Sequence, residues 1–134
     1  MSRKDARESV FKMIFEYTFS KEKNIDMLEE ILSDNKMKDE VGYISEVYNG
    51  VIEKYDDLIA KIGAVSKSFK LDRIYKIDLA ILLVALYEIL YIQSIPNTVS
   101  INEALNLSKI YSTEKSSSYI NGILSNFVGE WCKT

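Results

Sequence analysis

Arg3, Lys4 and Arg7 stand close together at the start of the chain. On a helix, Arg3 and Arg7 are four residues apart and share one face. Two guanidinium forks from one short turn can grip adjacent phosphates of a flexible strand. A solvated first turn with Arg–Glu pairs accounts for the same residues, since an exposed ion pair is worth little. A second group lies between Lys109 and Tyr119. Serine hydroxyls, Ser116 among them, together with free N–H groups at a helix start, make an anion-accepting pocket. Lys109 and Lys115 add charge, and Tyr111 and Tyr119 offer rings for stacking. Aromatic side chains beside basic groups are how single-stranded RNA is held. The competing reading is a capped interhelical loop with both tyrosines in the core.

Other chemistries are excluded by residue type. The chain has no histidine, which removes imidazole bases, imidazole ligands and Ser-His or Cys-His nucleophiles. Cys132 is the only cysteine, so no internal disulfide and no cysteine zinc site can form; this suits a reducing cytoplasm. Neither glycine-rich phosphate loop is present. Adjacent carboxylates such as Glu29-Glu30 and Asp56-Asp57 point about 100° apart on a helix and do not converge. The expectation is a non-enzyme that needs no metal and no cofactor.

Net charge is −3, unpromising for a nucleic-acid binder, but its distribution is uneven. Residues 1–12 hold four basic and two acidic side chains, whereas residues 21–60 hold five basic and eleven acidic. A basic contact surface on an acidic body is the expectation. So thin a patch cannot hold duplex DNA strongly by counterion release.

These residues need elements to position them. Ala6, Val10, Met13, Ile14 and Tyr17 recur at steps of three and four, which predicts a helix over about 3–20. Ser2 and Asp5 suit its cap. A short helix is expected over 25–33, and one long helix over about 38–65, with Gly50 allowing close packing and Gly63 near the end. Asp72 is placed to cap the next element. Its body, Ile77–Ile92, is apolar nearly all round but carries Asp78 and Glu88. A membrane span wants about 20 apolar residues with few charges, so this run reads as a central core helix. The charged N-terminus shows no signal-peptide pattern. Pro96, the only proline, marks a stop, and Ser100-x-x-Glu103 has capping-box spacing for a helix over 100–111. A last helix starts near Lys115. Asn102 and Asn121 read as structural polar residues, and Gly122 as a point of close helix approach. The fold class is all-α: a bundle of about six to seven helices in one domain, residues 1–134, with subdomains of about 1–65 and 66–134.

Five segments, in order, resemble the NusB-type transcription antitermination family. They are Arg3-x-x-Ala6-Arg7-Glu8, Val47-x-x-Gly50-Val51, Leu71-Asp72-Arg73-Ile74 with Ala85-Leu86-Tyr87-Glu88-Ile89, Ile95-Pro96-x-x-Val99-x-Ile101-Asn102-Glu103-Ala104, and Ser116-x-x-x-Ile120-Asn121-Gly122-Ile123-Leu124. The resemblance implies binding of boxA, a short single-stranded element of ribosomal RNA leader transcripts. It implies action with NusE, a small-subunit ribosomal protein, on the RNA polymerase elongation complex. It places RNA contacts at Arg3, Lys4, Arg7, Lys115, Ser116 and Tyr119, and partner contacts at Phe15 and Asp78 on or beside the central helix. Departures are Asp5 within the basic run, Phe69 where tryptophan is common, Leu83 where an arginine surface contact is common, and Lys115 where an acid is common.

Arg7→Ala is expected to weaken RNA binding by ~1 kcal/mol or more without unfolding the chain. Rival readings are a helical protein-interaction module without RNA binding of its own, and an accessory domain acting in trans with an RNA methyltransferase. The protein is expected to be a monomer or a resting homodimer that hides its RNA surface, with no membrane association.

Overall fold

The computed structural model describes residues 2–66 and 74–130. Seven α-helices and one 3₁₀ helix account for almost all of them: α1 (Arg3–Ser20), α2 (Ile25–Leu32), the 3₁₀ helix Asn35–Glu40, α3 (Val41–Glu53), α4 (Tyr55–Val65), α5 (Lys76–Tyr91), α6 (Asn97–Tyr111) and α7 (Glu114–Glu130). No strand occurs among the described residues. The all-α bundle expected from the sequence is the observed architecture.

Local chemistry sets most of the boundaries. At the start of α1 the Ser2 hydroxyl accepts the Asp5 N–H, and the Asp5 carboxylate accepts the Ser2 N–H. This closes a reciprocal capping box. The aspartate that interrupts the basic run therefore caps the helix that carries it. These hydrogen bonds from the Ser2 backbone and hydroxyl lower the Asp5 pKa. At the other end Lys21 adopts a left-handed conformation, φ 56°, and its N–H returns to the Tyr17 carbonyl. Asn24 caps α2 by accepting the Met27 N–H at 3.0 Å.

The single long helix expected over 38–65 is three elements. The 3₁₀ helix leads into α3, and Lys54 (φ −104°, ψ 18°) both ends α3 and starts α4. No glycine or proline marks that break. It lets α4 turn to pack on α5 and α7 while α3 packs on α1 and α5. Gly63 lies inside α4, which runs on to Val65.

Helix α5 is the axis of the molecule. Every residue from Asp78 to Ile89 is buried, and α1, α3, α4, α6 and α7 all pack against it. A helix apolar on all sides needs such a jacket. Leu83 is fully buried, so this departure from the family pattern adds to the core. No helix among the described residues is long and apolar enough to cross a membrane.

Gly50 is a point of close approach, as its place in the apolar pattern suggests. A Cβ there would lie 2.3 Å from Cζ of Tyr87 on α5. Gly122 is not: a Cβ would meet nothing within 4 Å, and the residue is exposed. Asn102 and Asn121 are also exposed, although their sequence neighbours are apolar. Ser100 is no N-cap. Helix α6 starts three residues earlier, with Pro96 (φ −60°, ψ 142°) as the flanking residue and its carbonyl accepting the Val99 and Ser100 N–H groups. Phe69, Leu71, Asp72, Arg73 and Cys132 lie outside the described residues.

Candidate nucleic-acid interface

The first turn of α1 sends its basic residues to different places. Lys4 is exposed. Arg3 is half-exposed: its Nε donates to Glu40 Oε2 at 2.5 Å, and its guanidinium lies 4.4 Å from the centre of the Tyr43 ring. Arg7 turns inward. Only 4% of it is exposed, so it is not a surface contact. The i, i+4 spacing does put Arg3 and Arg7 on one side of α1, but that side faces α3 and α5.

Arg7 there meets Glu88, which is completely buried on α5. Its Nε donates to Oε2 at 2.7 Å and its Nη2 to Oε1 at 3.1 Å. Glu88 also accepts the Tyr43 hydroxyl from α3 and the Ser100 hydroxyl from α6, the latter at 2.8 Å. Four helices thus converge on one carboxylate. Burial alone would lower the Arg7 pKa, but the hydrogen bonds to Glu88 and the charges of Glu88 and Glu103 raise it. Burial pushes the Tyr43 phenol well above its ordinary range, and the Glu88 charge pushes it further. A charge this deep is tolerated only when paired and fully hydrogen-bonded. Sequence spacing makes Ser100 a helix cap, and it assigns no role to Tyr43 and no partner to Glu88. The signal was an acid in the middle of an apolar run, which implies a buried hydrogen-bonding partner.

The second group forms the junction between α6 and α7. Thr113 caps α7 by accepting the Ser116 N–H at 3.1 Å. Asp78 is 3% exposed, and its carboxylate accepts the Ser112 hydroxyl at 2.7 Å and the Ser116 hydroxyl at 2.6 Å. Asp78 and Ser116 are therefore committed to each other, and neither offers its side chain to a partner at the surface. Their pairing ties the start of α5 to the start of α7. The Tyr119 hydroxyl pairs with Ser66 at 2.6 Å, leaving its ring half-buried. Lys115 and Ser118 are exposed.

The two groups are linked. Tyr111, the last residue of α6, donates its hydroxyl to Glu8 of α1 at 2.5 Å, packs its ring 5.1 Å from Phe11 and lies 5.9 Å from Lys12 Nζ. The face of α1 next to Arg7 thereby adjoins the α6–α7 junction. Lys12 is exposed there, a cation that the sequence pattern placed only in the charge count.

Phe15 lies further along α1. It is half-buried, with its ring edge-on to Phe19 at 5.1 Å. Phe19 is 63% exposed, and Tyr75, just before α5, is 66% exposed. Lys76 Nζ stands 5.9 Å from the Phe19 ring. Neither Phe19 nor Tyr75 was singled out in the sequence. Phe19 follows Phe15 by one helical turn and could have been found by extending that spacing.

Fold and site together define a small all-helical domain, wrapped on one buried helix and carrying exposed cations at two helix starts. The NusB family profile matches residues 4–129. The transcription antitermination protein NusB of Finegoldia magna is 42% identical over 127 residues, covering 94% of this chain and 93% of that one. The chain belongs to the NusB family. The structure of T. maritima NusB, at 31% identity, superposes with a TM-score of 0.83 over 97% of this chain and 92% of that one. A crystal structure of antitermination factors NusB and NusE in complex with double-stranded RNA contains a chain 19% identical to this one. It superposes with a TM-score of 0.83, covering 96% and 97% of the two chains, and that likeness bears on the fold.

Proposed function

We propose that this chain is a transcription antitermination factor that holds a short single-stranded boxA-like RNA and acts with a NusE-type ribosomal protein on the RNA polymerase elongation complex in the cytoplasm. In this reading it is one domain of two subdomains, divided near residue 65, and it catalyses no reaction. Family membership supports the activity. The observation that carries the site is the Glu8–Tyr111 bond, which brings the first turns of α1 beside the α6–α7 junction.

In this reading the RNA surface consists of the exposed cations Arg3, Lys4, Lys12 and Lys115, with the half-buried Tyr119 ring one helical turn beyond Lys115 on α7. Arg7 and Ser116 serve it from beneath. Arg7 fixes α1 to α5, and Ser116 fixes α7 to Asp78. The partner surface is the Phe15–Phe19 pair on α1 with the exposed Tyr75 just before α5, and Asp78 supports that helix start. Exposed aromatic side chains such as Phe19 and Tyr75 are favoured at protein contacts.

Fluorescence anisotropy with a labelled boxA-like strand and a scrambled strand tests this function. The expected result is preference for the boxA-like strand, a gain in affinity on adding NusE, and loss of that gain with Phe19→Asp. Equal binding of both strands, with and without NusE, would overturn the proposal.

A further inference from the structure

Arg3 already holds an anion. Glu40 ends the 3₁₀ helix and flanks the start of α3, yet it makes no side-chain cap bond to the α3 N–H groups. Its carboxylate reaches instead to Arg3 Nε at 2.5 Å. The guanidinium rests on the Tyr43 ring, and that ring is held in turn by its hydroxyl on the buried Glu88. Arg3 is therefore fixed from below by a ring that cannot swing away and from one edge by a carboxylate. Its side chain remains 43% exposed, whereas that of Glu40 is only 14% exposed. A phosphate arriving from solvent can reach the guanidinium, and it meets a site whose charge is already cancelled.

A carboxylate and a phosphate are alternative partners for the same guanidinium fork. From this we infer that Glu40 is an internal competitor for the RNA phosphate, which lowers and sets the affinity of the Arg3 contact, while Tyr43 is the positioning residue that keeps the guanidinium in place for the exchange. The inference rests on the RNA-binding reading above. A displaced Glu40 has somewhere to go. Glu40 directly precedes α3, and the start of a helix favours a carboxylate. The exchange thus trades one anion on Arg3 for another without stranding a charge.

The test is a thermodynamic cycle on the full chain, read by anisotropy with a labelled boxA-like single-stranded RNA at low salt. Glu40→Gln should tighten binding about two- to fivefold, the size of one exposed ion pair. In an Arg3→Ala background the same change should have almost no effect. Asp39→Asn, which removes a neighbouring charge that does not touch Arg3, should do less than Glu40→Gln. Thermal unfolding supplies the contrast: Glu40→Gln should lower stability slightly while raising RNA affinity, whereas a purely structural role moves both downward. The inference is overturned if Arg3→Ala weakens binding but Glu40→Gln does not strengthen it. It is overturned equally if Glu40→Gln gains the same factor with and without Arg3. If Arg3→Ala, Lys4→Ala and Lys115→Ala all leave binding unchanged, the RNA surface itself is misplaced and both readings fall.

Discussion

Arg7 shows how far a residue can be read before its partner is known. Its type, its spacing from Arg3 and its place beside Ala6 on the flank of the apolar stripe are all visible in the sequence. Glu88, eighty-one positions away, is not, and that carboxylate turns a candidate surface contact into a buried structural pair. The expected effect of Arg7→Ala changes accordingly. Removing one partner of a buried pair leaves the other charged and dry, at a cost of about 3–5 kcal/mol. Urea unfolding should show that loss directly, in contrast to the intact fold expected from sequence. Arg7→Lys keeps the charge but not the two-pronged geometry, and should fall between wild type and Arg7→Ala. Tyr43 gives a pH signature at the same centre. Its folded pKa is raised by burial and then by the Glu88 charge, above an ordinary value of 10.0. The unfolded chain therefore releases this proton first as pH rises. The stabilising contribution is complete below about pH 10, the ordinary tyrosine range, and is lost progressively above it. Tyr48, Tyr87, Tyr111 and Tyr119 shift in the same direction and add to the trend. Urea unfolding at pH 8 and at pH 11 should show a fall in stability that is smaller in Tyr43→Phe, once each protein is compared with itself.

At the scale of elements, local signals and tertiary docking divide the outcome. The start of α1 was legible because a capping box is a short-range device, and Ser2 and Asp5 are three residues apart. The α5 core was legible because no arrangement leaves so apolar a run exposed. The break at Lys54 was not, since Glu53-Lys54-Tyr55 contains no helix breaker and only the docking of α4 on α5 and α7 demands it. Ser100 misled for a related reason: its hydroxyl bonds a carboxylate on another helix, which local spacing cannot reveal. Two glycines test these distinctions with opposite signs. Alanine is a better helix former than glycine by about 1 kcal/mol. At Gly122 nothing opposes that gain, so Gly122→Ala should stabilise by up to about 1 kcal/mol. At Gly50 the new methyl would sit inside the Tyr87 ring contact, and Tyr87 is itself packed beside Tyr91 with ring centres 5.0 Å apart. Overpacking of this kind costs about 1–3 kcal/mol, enough to outweigh the helix gain. Thermal melts of both variants should move in opposite directions. A gain in both would mean the α3–α5 contact is looser than the geometry requires.

For the whole molecule, the question is how a body of net charge −3 engages a polyanion. Much of the basic charge near the proposed RNA surface is already spent within the protein: Arg7 on Glu88 and Arg3 on Glu40. Lys4, Lys12 and Lys115 remain exposed, the first two along α1 and the third at the start of α7. Each lysine that neutralises one phosphate contributes a slope of about −0.7 to the dependence of log affinity on log salt for a single strand. Three such contacts give a slope near −2, and Arg3 would take it toward −3 on exchanging Glu40 for phosphate. Those values are shallow beside proteins that hold nucleic acid by charge alone. Under the proposed function most of the discrimination is then expected from base stacking or from the partner protein, and a NusE-type partner is expected to be needed for tight binding. Anisotropy titrations from 50 to 300 mM salt, roughly the span over which such slopes are resolved, should give about −2 to −3 for the protein alone. A steeper slope with NusE present would mean that the partner brings phosphate contacts of its own. An unchanged slope with higher affinity would mean that it acts through apolar or base contacts. A slope beyond about −5 for the protein alone would require more exposed cations than α1 and the start of α7 present, and would place the RNA on another face.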